Sequence, residues 1–450
     1  MSASWILLGW LGFFVLCPVL TIGDHFVYPP ELFIYAMFAI GLFQSKRAAR
    51  RRAQQELPVV RRFTQRAQRA QFIYAALFLA TALFTAHLVG ESLNNFDVFI
   101  LRNIVQVGLC MKLFSDKVSR LDDAGKLDRV IFRALLLLSV PALLVFLQRL
   151  DLFGVRGLVI ALYKPQFFFL GEATFSSYRY TSVFKDFFTS AVYFTMLGAF
   201  LFHFSLRTRL GVVHRLVLIG LLAFVYAAQL FVARTSLVMI PLLMGAIALF
   251  GAPLRSGVLI KRVLPIAAVG VMAAAVVVPQ LLNGGLVNSR WAMEGLKVFS
   301  NEDRAKSTSF TTMQRWYEQM YSKAFEGRYS LFEPHHSYDL TEREEPGIYT
   351  DSFYGQELYR YGVYGALAYL AYLALMAFAA ARASRFTLIL VCALAVMNYK
   401  GGNTFFMVRD VYLYAFILAV APYLEHRRQR AARAAAAVAP AAPVALPAAA

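Results

Sequence analysis

Residues 228–244 read AQLFVARTSLVMIPLLM, in which one arginine, Arg234, separates two apolar stretches. Continued in both directions, each stretch is about as long as one membrane crossing. A guanidinium keeps its charge at any cellular pH, and a charge inside hydrocarbon is costly. The stretch therefore predicts two transmembrane helices that turn around at Arg234, close to one face of a bilayer.

The rest of the chain repeats this pattern of apolar runs. The sequence has 450 residues, of which 59% are hydrophobic and 16% are charged, whereas soluble domains carry roughly 25% charged residues. Repeated runs of this length are typical of helical membrane proteins. We predict an all-α, polytopic membrane protein with about 12 transmembrane helices. The predicted spans are 4–20, 31–44, 71–89, 97–114, 131–148, 184–204, 216–232, 236–251, 264–281, 354–379, 386–398 and 405–422.

The basic residues indicate how the chain is oriented. When the spans are counted in order, every short connector rich in Lys and Arg falls on one side; segment 45–70 carries nine basic residues and one acid, Glu56. Positively charged loops face the cytoplasm, so we predict cytoplasmic termini and two long connectors, 149–183 and 282–353, on the opposite side. The net charge of +19 is thus typical of membrane topology and not of nucleic-acid binding.

The spans divide the chain into six parts. These are N-terminal helices with a basic connector that contacts anionic lipid (1–148), a first long loop (149–183), central helices (184–281), a large loop (282–353), C-terminal helices (354–424) and a disordered tail (425–450). Residues 1–20 are predicted to form a retained first helix and not a cleaved signal peptide. Residues 312–325 have apolar side chains at helical spacing, so the large loop is predicted to be partly helical.

Several cations are predicted to project toward the same side as Arg234. Arg102 lies about one turn inside the fourth span, Arg179 precedes the sixth, and Arg409 begins the last; Arg290 and Arg315 lie in the large loop. Fixed arginines near one leaflet favour an anion that arrives within the membrane, such as a lipid-linked diphosphate, because a guanidinium binds phosphate oxygens in a forked geometry. Arg234 alone is also compatible with snorkelling to the interface, which is common.

An acid lies where the large loop meets the tenth span. Asp351 in YTDSFYGQELYRYGVYG (349–365) is compatible with a helix cap and with a general base at the mouth of a cavity. Other groups that could accept a proton are Glu172 and the pair His335 and His336. The sequence has no Asp-x-Asp on this side and no cysteine or histidine pattern with metal-ligand spacing, so no metal or other cofactor is predicted.

Four stretches together resemble the O-antigen polymerase and O-antigen ligase superfamily, the Wzy-type polymerases in particular. They are RYTSVFKDFFTSAVYF (179–194), ARTSLVMIPLLMGAI (233–247), TTMQRWYEQMYSKAFEGRYSLF (311–332) and TDSFYGQELYRYGVYG (350–365). The resemblance implies a GT-C-like enzyme of the bacterial inner membrane whose active site faces the periplasm. Its substrates would be glycans on undecaprenyl diphosphate, one as donor and one as acceptor, and a chain-length regulator protein is a further candidate partner.

The resemblance also implies roles for the candidate residues. Arg234 and Arg315 would stabilise the departing diphosphate and Asp351 would take the proton of the acceptor hydroxyl, with Arg179, Arg409, Arg290, Arg102, His335, His336 and Glu172 binding substrate. Ligases usually carry His-Asn where this chain has Asp351-Ser352, which favours a polymerase, although the histidine pair keeps the ligase alternative open. A transporter of lipid-linked sugars is the rival from another class.

Overall fold

The protein is described from a computed structural model and is almost entirely helical in the residues that the structure describes. These residues are 3–22, 25–42, 58–121, 124–163, 180–184, 187–207, 211–250, 332, 334, 353–399, 405–406 and 409–438. The helices are α1 (Ala3–Leu16), α2 (Pro29–Leu42), α3 (Pro58–Val89), α4 (Asn95–Val118), α5 (Ala124–Leu138), α6 (Val140–Leu150), α7 (Val155–Tyr163), α8 (Phe187–Arg207), α9 (Val212–Ala228), α10 (Arg234–Phe250), α11 (Phe353–Ala381), α12 (Arg385–Met397) and α13 (Asp410–Val438).

One small hairpin interrupts the helices. Strands β1 (Leu20–Ile22) and β2 (His25–Val27) pair antiparallel, with Leu20 opposite Val27, between α1 and α2. Two 3-10 turns, Leu152–Gly154 and Gln229–Phe231, link α6 to α7 and follow α9.

Six apolar segments are long enough to cross a membrane, so the prediction of a helical membrane protein is confirmed at this level. In the part of the chain that the structure describes, they are Val60–Val89, Asp97–Val118, Gly125–Leu150, Phe187–Leu206, Val212–Phe231 and Phe353–Ala381. Shorter apolar helices, among them Ala3–Leu16 and Arg385–Met397, accompany them. The count of twelve spans and the GT-C-like loop stay predictions, because 264–281 and nearly all of 282–353 lie outside the described residues.

Three differences from the predicted organisation change which parts of the chain are helical. The third predicted span begins at 71, whereas α3 begins at Pro58 because Val60, Phe63 and Ala67 pack against the bundle. The first long connector contains an additional helix, α7. The tail was expected to be disordered from 425, but the alanine-rich sequence continues α13 to Val438, consistent with the high helix propensity of alanine.

The helix ends collect into two groups at opposite ends of the bundle. At one end, here called the Arg409 end, α1, α6 and α12 finish and α2, α4, α11 and α13 begin. The contacts that define it are Arg409 Nη2–Cys17 O (2.9 Å), Arg102 Nε–Glu31 Oε2 (3.2 Å), Phe353 N–Asn398 O (3.0 Å) and Ser182 N–Gln148 Oε1 (2.8 Å).

The opposite end of the bundle is here called the Arg62 end. There the start of α3 lies beside the end of α4, and the end of α8 lies beside the start of α12. The contacts that define it are Thr64 Oγ1–Ser115 Oγ (3.4 Å), Lys117 Nζ over the Trp10 ring (4.8 Å), and the ring pairs Phe132–His214 (4.9 Å) and His203–Phe386 (3.9 Å). Predicted N-terminal and C-terminal parts therefore interleave, and α13 packs directly on α1, α4 and α8.

Candidate functional site

Asp97 is held by its own local backbone at the Arg409 end. It lies in the first turn of α4, where a carboxylate is favoured by the helix dipole. The Asn94 backbone N–H donates to Asp97 Oδ2 (2.9 Å), and the Asp97 N–H donates to Asn94 Oδ1 (3.0 Å). These reciprocal bonds hold the carboxylate through contacts with its own helix start.

Two side chains of α11 converge on this carboxylate. Arg360 Nη2 lies 3.7 Å from Asp97 Oδ1, and Tyr361 donates its hydroxyl to the same oxygen. Asp97 and Arg360 expose only 2% and 4% of their surface, so the ion pair is buried. A buried pair of this kind loses much of its Coulombic gain to desolvation, but removing one partner leaves an uncompensated charge.

A second carboxylate, Glu357, lies in the same region with fewer partners. It is 3% exposed, and within the described part of the chain Oε2 has no hydrogen-bond partner. Arg360 is its favourable electrostatic neighbour and Asp97 its unfavourable one. Asp97 and Glu357 are therefore both neighbours of the Arg360 guanidinium, and the hydrogen-bond donors contact Asp97.

A break in α11 follows these residues directly. Gly362 has φ 62° and ψ −157°, a backbone conformation that side-chain-bearing residues rarely adopt. A Cβ added at Gly365 would lie 2.6 Å from Cβ of Tyr361 and 3.3 Å from Glu357 Oε2. The two glycines thus permit the close turn that aims Arg360 and Tyr361 at α4. In membrane proteins, broken helices occur where the backbone is buried in protein or lines a cavity.

Arg409 is enclosed by the segments around α1 and α2. It is 3% exposed and has φ 71°, one of four non-glycine residues with positive φ in the described chain. Nη2 donates to the Cys17 carbonyl at 2.9 Å, and the guanidinium lies between the rings of Tyr28 (5.1 Å) and Tyr163 (4.9 Å). The Arg409 guanidinium therefore contacts neighbouring backbone and aromatic rings within the bundle.

Arg102 is held on one side and exposed on the other. Nε lies 3.2 Å from Oε2 of the buried Glu31, whereas 40% of the Arg102 side chain is exposed. The guanidinium also lies 5.5 Å from the centre of the Phe99 ring. Of the predicted cations whose side chains the structure describes, Arg102 is the one that combines a fixed position with an accessible guanidinium.

Buried polar groups connect the neighbourhoods of Arg102 and Arg409. Asn103 Nδ2 donates to the Phe406 carbonyl (2.6 Å), Tyr412 donates to Gln106 Oε1 (3.3 Å), and the rings of Tyr28 and Tyr412 are 6.0 Å apart. Burial raises the pKa of the Tyr28 phenol, and the Arg409 guanidinium offsets part of this rise. Tyr28 therefore keeps its proton and donates it to the Phe14 carbonyl.

No family model, curated protein or solved structure matches the chain. The chemistry of this region therefore rests on the residues themselves. They provide an accessible guanidinium beside a buried acid, and a buried pair of acids with one arginine at a helix break. Among the described residues, no group of three or more His, Cys, Asp or Glu is placed to hold a metal ion.

The structure describes only part of the predicted site. Arg102 and Arg409 both lie at the Arg409 end, and Arg234 is the first residue of α10, where its backbone alone is described. The preceding turn is tied to the rest of this end, because the Tyr180 N–H donates to the Phe231 carbonyl at 2.9 Å. The other candidates lie outside the described residues: Asp351, Arg315, Arg179, Arg290, His335, His336 and Glu172.

The sequence reasoning missed Asp97, Glu357 and Arg360. Two of them lie inside the stretch already examined for Asp351, and all three fall at the start of predicted apolar spans. Ionisable residues inside a membrane span are a functional signal by default. Applied to every span, that rule would have found them, although it would not have paired Arg360 with Asp97, 263 positions away in the numbering.

Proposed function

We propose that the protein is a periplasm-facing glycosyltransferase that polymerises undecaprenyl-diphosphate-linked oligosaccharide units into a surface or secreted polysaccharide. The observation that carries the proposal is the group of buried charged side chains at the Arg409 end: Asp97, Glu357, Arg360 and Arg409. Arg102 adds a positioned, accessible guanidinium at that end. The resemblance of four sequence stretches to membrane glycan polymerases gives this end its proposed chemistry.

The proposed reaction is a direct displacement at the anomeric carbon of the donor glycan. The hydroxyl of a terminal sugar on a second lipid-linked unit loses its proton to Asp351, and its oxygen bonds to the anomeric carbon. The bond from that carbon to the diphosphate oxygen breaks, and lipid diphosphate leaves. One displacement inverts the anomeric centre. Glu172 and the pair His335 and His336 are the alternate bases.

Arginines supply the electrostatic stabilisation in this proposal, without a metal ion. Arg234 and Arg315 bind the developing negative charge on the diphosphate, since positioned cationic donors stabilise charge that appears in a transition state. Arg102, Arg179 and Arg290 bind substrate phosphate or glycan. Arg409 is buried among Cys17, Tyr28 and Tyr163, so we assign it to positioning that end of the bundle.

Two other activities remain as alternatives. A ligase would transfer the same glycan to a different acceptor with the same leaving group. A transporter of lipid-linked sugars is favoured by the break in α11 at Gly362, because discontinuous helices beside buried charges are frequent in transporters.

A reconstitution with radiolabelled lipid-linked repeat units separates these activities. In proteoliposomes of the purified protein, we expect the label to move into longer glycans on the same lipid carrier. Transfer only to an added second acceptor would indicate a ligase, and label crossing the bilayer without chain growth would indicate a transporter. Arg234→Ala should abolish growth and Arg234→Lys should reduce it; full growth in both variants at normal protein levels contradicts the role given to Arg234.

A further inference from the structure

The first third of α3 docks one of its faces on α4. Val60, Phe63 and Ala67 are buried along this face. Thr64 Oγ1 lies 3.4 Å from Ser115 Oγ, and Gln68 Nε2 donates to the Gly108 carbonyl at 2.9 Å. This part of α3 is therefore a fixed element of the bundle at the Arg62 end.

The other face of the same turns carries three arginines in line. Arg62, Arg66 and Arg69 are four and three positions apart, which places them on one stripe of the helix. Arg62 and Arg69 are exposed and Arg66 is half-buried. Within the described residues none of the three forms an ion pair, and the acid at the neighbouring end of α4, Asp116, is paired with Lys112 at 2.7 Å.

The same stripe continues up the helix as an apolar surface. Ile73, Leu77 and Phe84 follow at helical spacing and expose 46%, 39% and 45% of their surface. In a segment long and apolar enough to span a membrane, exposed apolar side chains of this kind face lipid acyl chains. The three arginines therefore precede a lipid-facing surface along α3 and lie on the same side of the helix.

The arginine stripe is slightly longer than the polar layer of one bilayer leaflet. Seven residues separate Arg62 from Arg69, which is about 10 Å along a helix. A bilayer is about 40–45 Å thick with a hydrocarbon core of about 30 Å, which leaves roughly 5–8 Å of headgroup layer per leaflet. The three guanidiniums thus span the depth at which lipid phosphates lie.

We propose that Arg62, Arg66 and Arg69 form a binding site for the phosphates of anionic phospholipids in the leaflet at the Arg62 end. The forked guanidinium geometry suits phosphate oxygens. Zwitterionic lipids carry a compensating ammonium, so the net attraction selects for anionic headgroups. A nucleic acid or a soluble protein would not account for the continuation of the stripe into a lipid-facing surface.

The test is the retention of phosphatidylglycerol against phosphatidylethanolamine by the full-length protein, measured by native mass spectrometry after extraction from mixed bilayers. We expect wild-type protein to retain phosphatidylglycerol selectively and to lose this selectivity as salt rises. The triple variant Arg62→Gln, Arg66→Gln, Arg69→Gln should lose it by at least about tenfold, since each basic residue near an anionic surface contributes roughly fivefold. The corresponding triple lysine variant should keep most of it.

The matched control removes three exposed arginines from the same end of the bundle but not from the stripe: Arg120→Gln, Arg382→Gln and Arg385→Gln. It should retain phosphatidylglycerol as wild type does. An equal loss in both triple variants would show that bulk charge and not the stripe selects the lipid, which overturns the proposal. Equal retention of both lipids by wild-type protein overturns it without reference to any variant.

Discussion

The arginines at the two ends of the bundle are held in different ways. At the Arg409 end, Asp97, Arg360 and Arg409 are almost completely buried and held by specific partners. At the Arg62 end, Arg62 and Arg69 are exposed on a helix surface without ion pairs among the described residues. Burying a charge is costly, whereas exposing one at a membrane surface costs little. This difference is the basis for proposing that the chemistry takes place at the Arg409 end and lipid contact at the Arg62 end.

The largest stability effect should follow the loss of the buried acid. Asp97→Asn removes the carboxylate paired with the buried Arg360 guanidinium and leaves it with Glu357 as an acidic neighbour, which should cost up to about 3–5 kcal/mol. Asp116→Asn is the matched control, because Asp116 forms a more exposed pair with Lys112 that should contribute at most about 0.5 kcal/mol. Thermal unfolding of the purified variants in detergent measures both. Similar losses in the two variants would remove the distinction between the ends.

The helix break should be the next most sensitive feature. Gly365→Ala places a Cβ 2.6 Å from Cβ of Tyr361, and Gly362→Ala forces alanine to φ 62°. Each should cost about 1–3 kcal/mol. Gly220→Ala in α9 has open space around the new methyl group and should stabilise by up to about 1 kcal/mol. Gly362 and Gly365 variants that unfold at the wild-type temperature would show that the break is not required.

The two acids of the buried cluster should respond differently to neutralisation. Glu357→Gln keeps the shape of a side chain whose Oε2 has no hydrogen-bond partner among the described residues. It also removes an acid for which Asp97 is an unfavourable neighbour, so the change should cost less than about 1 kcal/mol. The comparison with Asp97→Asn uses the same thermal assay. If Glu357→Gln is as destabilising as Asp97→Asn, the cluster is not organised around Asp97.

The smallest effect on stability should come from the exposed arginines. Arg62→Gln changes an exposed side chain without an ion pair in the described chain, so the change should stay within about 0.5 kcal/mol of wild type. Unfolding in detergent, where no anionic lipid is present, is the relevant condition. A large loss there would mean that Arg62 holds the bundle together and that its assignment to lipid is wrong.

The sequence predicted the helices better than their contacts. Eleven of the twelve predicted spans overlap helices and the twelfth, 264–281, lies outside the described residues; six apolar segments are long enough to cross a membrane. A long apolar run is a local signal that needs no knowledge of partners. The sequence does not predict that α3 begins at Pro58, because arginines alternate there with the apolar residues that pack against α4. The pairing of Asp97 with Arg360 joins residues far apart in the chain, and a single sequence contains no record of that contact.

The predicted site shows the same limit. Charge and a place near a helix end make Arg102 and Arg409 predicted site residues, and both lie at the Arg409 end. Their environments nevertheless differ, since Arg409 is enclosed by Tyr28 and Tyr163 whereas 40% of the Arg102 side chain is exposed. Exposure depends on which neighbours fold against a side chain, so the local sequence could not distinguish the two roles.

The most direct test of this account is glycan chain growth in proteoliposomes by two matched variants, one from each end. Arg102→Gln removes the accessible guanidinium that is proposed to bind substrate at the Arg409 end and should lower the rate at limiting substrate by roughly tenfold to a hundredfold. Arg62→Gln removes an exposed guanidinium from the opposite end and should leave the rate near that of wild type. Equal rates in both variants, or a greater loss from Arg62→Gln, would contradict the assignment of the chemistry to the Arg409 end.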